Sequence, residues 1–352
     1  MNAETNDLLT VADGNTLATE PTAPKKPSPL RKTFIGPDGL RAGWSLLIFI
    51  LLFGLLGFGT SRLVHAIYSP PKGAFSFNSV TPLLLLLNEA VPFLLVLLVT
   101  WIMSRIERRP NGVYGLGSQR KLPLFFAGLV WGITCLSLLI LMLWKSGLLV
   151  FDGRMLFGGA ALRYGAIWFM GFLLVGLLEE YLTRGYVQYT LTRGLAALYQ
   201  RVFKTRHSQA LGFWTSALLF SILFGLGHGK NPGESPIGLL SAGLAGMVFC
   251  FSLWRTGSLW WAIGFHASWD WGQSFFYGVA DSGMMLQQHW LKAHAAGRPI
   301  LSGGTTGPEG SIYILAIFVL IAVIIAVTLP RNQSGYIQSR GRTSRDSEVM
   351  AA

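Results

Sequence analysis

The stretch AIWFMGFLLVGLLEEYLTRGY, residues 166–186, decides the class of this chain. An unbroken apolar run ends on two adjacent glutamates, Glu179 and Glu180, with Arg184 one helical turn further on. The whole chain holds only 16 Asp and Glu among 352 residues, so composition alone does not explain two of them side by side. About 20 apolar residues cross a ~30 Å hydrocarbon core as a helix. A charged side chain at that depth costs at least ~2.5 kcal/mol unless it is paired, turned to a cavity or put to use.

The rest of the chain repeats the apolar pattern. Half of it is hydrophobic, 12% is charged and the mean hydropathy is +0.48, whereas a soluble domain carries roughly twice that charge. Apolar runs lie near 43–61, 81–103, 123–143, 164–183, 211–228, 236–254, 258–278 and 311–329. They predict an all-α, polytopic membrane protein of about eight transmembrane helices. Residues 1–41 are polar and rich in Pro (Pro21, Pro24, Pro27, Pro29) and lack an apolar h-region, so they read as a disordered arm and not as a signal peptide. The organisation that follows is an arm (1–41), three spans (42–159), a core holding most of the buried ionisable residues (160–285), an extracytoplasmic loop (286–310), a last span (311–330) and a basic tail (331–352). Within that loop, GRPILSGGTTGPEGS (297–311) has the composition of a flexible segment.

A net charge of +12 raises the question of nucleic acid, but its placement points elsewhere. With eight spans and the N-terminus inside, 20 of the 28 Lys and Arg fall on the side that holds both termini. That is the positive-inside pattern. It predicts cytoplasmic termini and a multi-pass protein of the cell membrane, its basic side facing anionic lipid, with no nucleic-acid partner. Cys135 and Cys250 fall in different spans and read as buried thiols rather than a disulfide. GLGHGKNPG (225–233) has neither the spacing nor the strand-then-helix setting of a nucleotide loop.

The ionisable residues at membrane depth are Glu89, Glu179, Glu180, His228, His266 and Asp270. Residues four apart share a helix face, so Glu180 and Arg184 form a natural ion pair. Glu179 sits about 100° around the helix, without a basic residue at i+3 or i+4, and an unpaired glutamate is a candidate general base. The plainer reading is that both glutamates mark an interfacial helix end at which Arg184 snorkels. His228 ends SILFGLGH, with Phe224 one turn before it and glycines around it; His266 and Asp270 stand four apart in IGFHASWDW. Their plainer reading is a hydrogen-bonded pair that holds helices together. At 1.5 Å per residue, Glu179 and His266 meet near the midplane. The span drawn for His228 leaves it toward the outer surface, so either that span begins later or the helix unwinds at the glycines.

The remaining histidines (His65, His207, His289, His294) lie in loops or at span edges and read as non-catalytic. Glu89, beside Asn88 and one turn before Pro92, reads first as a partner for backbone carbonyls freed by the proline kink, and second as lining for a substrate chamber. Trp44, Trp101, Trp168, Trp254 and Trp260 read as an interfacial belt. Trp269 and Trp271 flank Asp270 as walls of a site or as packing.

Glu179-Glu180-x-x-x-Arg184, Phe224-x-x-x-His228 and His266-x-x-x-Asp270, in this order on separate spans, resemble the CPBP family over roughly residues 160–285. That family comprises the type II CAAX prenyl endopeptidases and the bacterial Abi relatives linked to bacteriocin self-immunity. The resemblance implies a helical intramembrane endopeptidase acting on a membrane-bound peptide or protein. In it Glu179 and His228 activate water, His266 and the residue at 270 stabilise the oxyanion, and Glu180 and Arg184 brace the first motif. Position 270 is Asp where the better-known CAAX enzymes have Asn, so Asp270 acts either as a protonated donor or as the orienter of His266. Glu179, His228 and His266 also suit a Zn²⁺ site with an open water position. H-E-x-x-H is absent, and the metal-free mechanism is favoured, with no cofactor. The rival readings are a catalytically silent scaffold or immunity factor, and a proton-coupled transporter, against which the lack of an internal repeat argues.

Overall fold

The computed structural model describes Ser28 and residues 33–36, 38–67 and 81–331, without the side chains of 64, 65 and 67. Most of the polar arm, the side chain of His65 and the tail from 332 thus lie outside the described residues.

A two-residue hairpin, β1 (Ile35–Gly36) with β2 (Gly39–Leu40), leads into α1 (Ala42–Ile67), α2 (Pro82–Glu107) and α3 (Lys121–Lys145). Strand β3 (Leu149–Arg154) precedes α4 (Gly158–Glu180), which passes through a π-helical turn, Tyr181–Val187, into α5 (Gln188–Phe203). Then come α6 (Ser208–Gly227), a 3₁₀ turn at His228–Lys230, α7 (Pro236–Thr256), α8 (Trp260–Trp271) and a second π-turn, Gly272–Phe276. Strand β4 (Leu291–Ala295) pairs antiparallel with β3, and α9 (Ile314–Thr328) closes the described chain. Two of the helices begin on the same device. Thr81 and Ser235 cap α2 and α7 with their hydroxyl oxygens, and each is followed by a Pro whose missing N–H costs nothing at a helix start.

Six helices among the described residues are long and apolar enough to cross a membrane: α1, α2, α3, the continuous α4–α5, α6 with its 3₁₀ turn, and α7. The chain is polytopic and all-α, but two of the eight predicted spans differ from expectation. The run 258–278 forms the 12-residue α8, which is about 18 Å long, shorter by itself than any of the six, and runs on directly into the π-turn Gly272–Phe276. It is buried on nearly every side. Its apolar residues face protein, and hydropathy does not distinguish that from facing lipid. Helix α9 is apolar but only 15 residues long. The basic loop expected over 184–209 is mostly α5, whose polar face, including Thr192 and Arg193, is buried against its neighbours. The segment 297–311 is not a loose loop either. It holds a helical turn at Pro299–Ser302 and a 3₁₀ turn at Pro308–Gly310, with Ser302, Thr306 and Ser311 buried.

Helix α8 is gripped by glycines. A Cβ at Gly128 of α3 would collide with Trp261 O, and one at Gly264 of α8 with Phe125 O, so the two backbones touch as in small-residue membrane packing. One end of α8 is tied by Leu259 N–H to Gly115 O. From its other end the chain runs on to the β3–β4 ribbon, so α8 joins the two faces of the bundle from within. The described chain ends share the basic face. Arg193 donates to Leu40 O just before α1, and Arg255 donates to Ala326 O and Leu329 O at the end of α9. Cys135 and Cys250 are buried free thiols. Trp168, expected in the interfacial belt, is fully buried.

The glycine grip carries a testable consequence. Gly264→Leu forces the α3–α8 contact apart and should lower stability in detergent by about 1–3 kcal/mol or more. Gly54→Leu, where an added Cβ meets nothing, should leave the melting temperature within a degree or two. Equal melting of the two variants contradicts the packing described.

Candidate active site

The first motif lies where α4 becomes the π-turn. Glu180 and Arg184 are both buried and form the predicted ion pair. The pair does more than the spacing indicates. The oxygen of Glu180 that accepts from Arg184 also accepts from His266 Nδ1 at 3.1 Å, across 86 residues of sequence. The Arg184 guanidinium lies over the Phe224 ring at 4.6 Å and the Phe249 ring at 5.4 Å, a cation–π arrangement strengthened by burial. Phe224 in turn accepts, through its carbonyl oxygen, the hydrogen of His228 Nδ1 at 2.8 Å. One arginine and one glutamate therefore tie the three motifs to one another.

These contacts fix the tautomer of His228. A carbonyl oxygen only accepts, so Nδ1 of His228 carries hydrogen and Nε2 of the neutral ring holds a lone pair. In His266, Nδ1–H donates to Glu180, leaving Nε2 3.4 Å from Asp270 Oδ2 and 3.8 Å from Glu179 Oε2. A bare lone pair would repel both carboxylates, so a proton lies within this group, on Nε2 or on a carboxyl oxygen. Glu179 Oε2 has no hydrogen-bond partner among the described residues, and its ionic neighbour is His266 of another helix rather than a base one turn on.

All four predicted catalytic residues, Glu179, His228, His266 and Asp270, line one cavity of about 630 Å³. His228 reaches it because α6 ends at Gly227 and gives way to the 3₁₀ turn, the second of the two alternatives for its depth. Apolar residues in its wall include Phe220 and Leu223 of α6, Ala245 and Val248 of α7, and Phe318 and Ile321 of α9. Its polar lining includes residues that sequence reasoning passed over: Asn231, Asp281, Ser282 and Glu309. Glu309 accepts from Trp269 Nε1 at 2.7 Å and from Ser282 Oγ at 3.2 Å. Asp281 accepts from Ser274 Oγ at 2.9 Å, and burial, then the nearby Asp270, pushes its carboxyl well up from the usual range. Trp269 lines the cavity, whereas Trp271 packs away from it and donates to Gly165 O. His289 and His294 bond Leu291 O and Asp152, and neither they nor His207 lines the cavity. Glu89 does line it, and it makes no hydrogen bond to a carbonyl freed by Pro92.

The zinc alternative asks for Glu179, His228 and His266 around one point. Among the described residues no three His, Cys, Asp or Glu side chains gather in a metal-holding group, so no step of the mechanism is routed through an ion.

Comparison with known families agrees with the motifs. The family described as type II CAAX prenyl endopeptidase Rce1-like matches residues 163–272. This Rce1-like segment is similar to that family. It covers about a third of the chain and contains Glu179, Glu180, Arg184, His228, His266 and Asp270, so the CPBP resemblance holds over it. No curated protein matches the chain, and no solved structure does. Glu89, Asp281 and Glu309 lie outside the Rce1-like segment.

The buried pair makes a sharp energetic prediction. Arg184→Met removes the ionic partner of Glu180 in the core and leaves it only the His266 hydrogen bond, which should cost about 3–5 kcal/mol. Adding Glu180→Gln to that variant should restore more than half of the loss. Additive losses in the double-mutant cycle contradict the coupling.

Proposed function

We propose that the chain is an intramembrane endopeptidase that hydrolyses a peptide bond of a membrane-associated substrate, the activity its Rce1-like segment supports at the family level. The observation that carries this reading is the placement of Glu179, His228, His266 and Asp270 on the wall of one cavity whose lining is both apolar and polar. Such a cavity accepts an apolar chain and still admits water.

In this mechanism a water lies between Glu179 and Nε2 of His228. Both are acceptors, so the water is oriented and its proton has a destination when its oxygen attacks the scissile carbonyl. The developing oxyanion needs a donor. The proton held between His266 Nε2 and Asp270 supplies it, whichever atom carries it in the resting state. Glu180 acts through His266, fixing its ring by the Nδ1 hydrogen bond, and Arg184 holds Glu180 in place by the ion pair. Asp270 in place of Asn is thereby accommodated: it orients His266 or shares its proton. Substrate and lipid bilayer are the partners in this reading. Both termini lie in the cytoplasm, on the grounds of the basic face, and the protein resides in the cell membrane. A prenylated CAAX tail is one substrate class that suits the apolar lining of the cavity.

Purified protein in detergent, given a quenched prenyl-peptide and a library of transmembrane peptides, should cleave at least one of them. Glu179→Gln and His228→Ala should each lower cleavage by about 100-fold or more while folding as wild type, and a chelator should not abolish it. Chelator-sensitive cleavage restored by zinc contradicts this mechanism, and wild-type activity in Glu179→Gln removes the base.

A further inference from the structure

One carboxyl in the cavity has no part in the scheme above. Glu89 sits on α2, outside the Rce1-like segment, and lines the same cavity as Glu179. Among the described residues its carboxyl has neither a hydrogen bond nor an ion pair. A carboxyl at bilayer depth without a partner is a functional residue by default, because its burial is costly and nothing structural offsets it.

Packing sets its height relative to Glu179. Leu85 of α2 occupies the space opposite Gly171 of α4, where a Cβ would approach Leu85 Cδ2 to 2.6 Å. The two helices run in the same direction, since the C-terminal end of α2 meets the chain just beyond α4 through Glu107 and Tyr186. Glu89 lies one turn beyond Leu85, and Glu179 two turns beyond Gly171, so their backbones differ in height by only about one turn, roughly 6 Å. Leu85, Glu89, Phe172, Val175 and Glu179 all line the cavity. Glu89 is within electrostatic reach of Glu179 and His266, the charged groups of α4 and α8 that face it. Pro92 removes the helix hydrogen bond to Asn88 O, so the backbone beside Glu89 is less constrained than elsewhere in α2.

We propose that Glu89 is a further catalytic residue, the acid that protonates the departing amine. This rests on the hydrolase reading of the site. Glu179 takes one proton from water as the water oxygen bonds to the carbonyl carbon. The tetrahedral intermediate collapses, the C–N bond breaks, and the nitrogen receives its proton from the Glu89 carboxylic acid. The proton on Glu179 then passes to Glu89 through the next water, and both groups return to their starting states. One base and one acid on facing helices spare Glu179 from reversing its role while the product acid still occupies the site.

The test compares two substrates with the same acyl chain, a peptide amide and a nitrophenyl ester, whose leaving group departs without a proton. The full chain is used as wild type, Glu179→Gln, Glu89→Gln and Glu89→Asp, with melting temperature and elution as folding controls. Glu89→Gln should lower kcat on the amide about 100-fold or more and on the ester by less than tenfold. Glu179→Gln should lose both. Glu89→Asp, which keeps the acid, should retain part of the amide activity and serves as the test variant if Glu89→Gln does not fold. Amide cleavage by Glu89→Gln near the wild-type rate overturns the proposal, and so does an equal loss on both substrates in a folded variant. Wild type inert on both substrates overturns the hydrolase reading and this inference with it.

Discussion

The buried ion pair between Glu180 and Arg184 is the constraint on which the site depends. Neither residue tolerates burial alone, because an isolated charge in low dielectric costs several kcal/mol, and together they still need their remaining hydrogen-bonding capacity filled. The chain fills it with the other motifs: His266 Nδ1–H on Glu180, and the rings of Phe224 and Phe249 over Arg184. Satisfying the pair therefore positions one catalytic histidine directly and the other through the Phe224 carbonyl. The π-turns that follow Glu180 and Trp271 fit the same picture, since such turns change helix phase just beyond a functional residue.

Around this centre the chain builds a chamber lined by both apolar and polar groups. Helices α6, α7 and α9 supply much of its apolar lining. Several of its polar groups come from loops that lie mostly beyond the Rce1-like segment and are knitted by backbone contacts. Gly283 crosses Gly233 so closely that neither admits a Cβ, Thr306 donates to Gly233 O, and Asn231 donates to Ser282 O. Ser282 adopts the left-handed conformation with φ 44°, uncommon for a residue with a side chain and concentrated at functional sites. The turn that follows His228 is held by this network through Asn231.

What the sequence makes legible is what local spacing encodes. The ion pair follows from the i,i+4 rule, the lack of a partner for Glu179 on its own helix from the absence of a base one turn on, and the membrane class from apolar runs. The contact between Glu180 and His266 is invisible to spacing because it joins distant spans. Helix α8 reads as a span because a helix surrounded by protein and one surrounded by lipid share the same composition. The 297–311 segment reads as flexible because it is rich in glycine. Several of those glycines instead permit tight turns, as at Gly303 (φ 87°) against Gly307 O, and the turns deliver Glu309 to the cavity wall. Glu89 stands between these cases: its depth is legible, but spacing ranks the role beside the proline kink ahead of the place on the cavity wall that the structure gives it.

The central claim is that this cavity activates water against a peptide bond, and oxygen labelling tests it most directly. Cleavage by the purified protein in H₂¹⁸O, under single-turnover conditions, should place one ¹⁸O in the new carboxyl group of the product, with Glu179→Gln forming no labelled product over the same time. Product that forms without label, or with equal label in Glu179→Gln, would contradict the account.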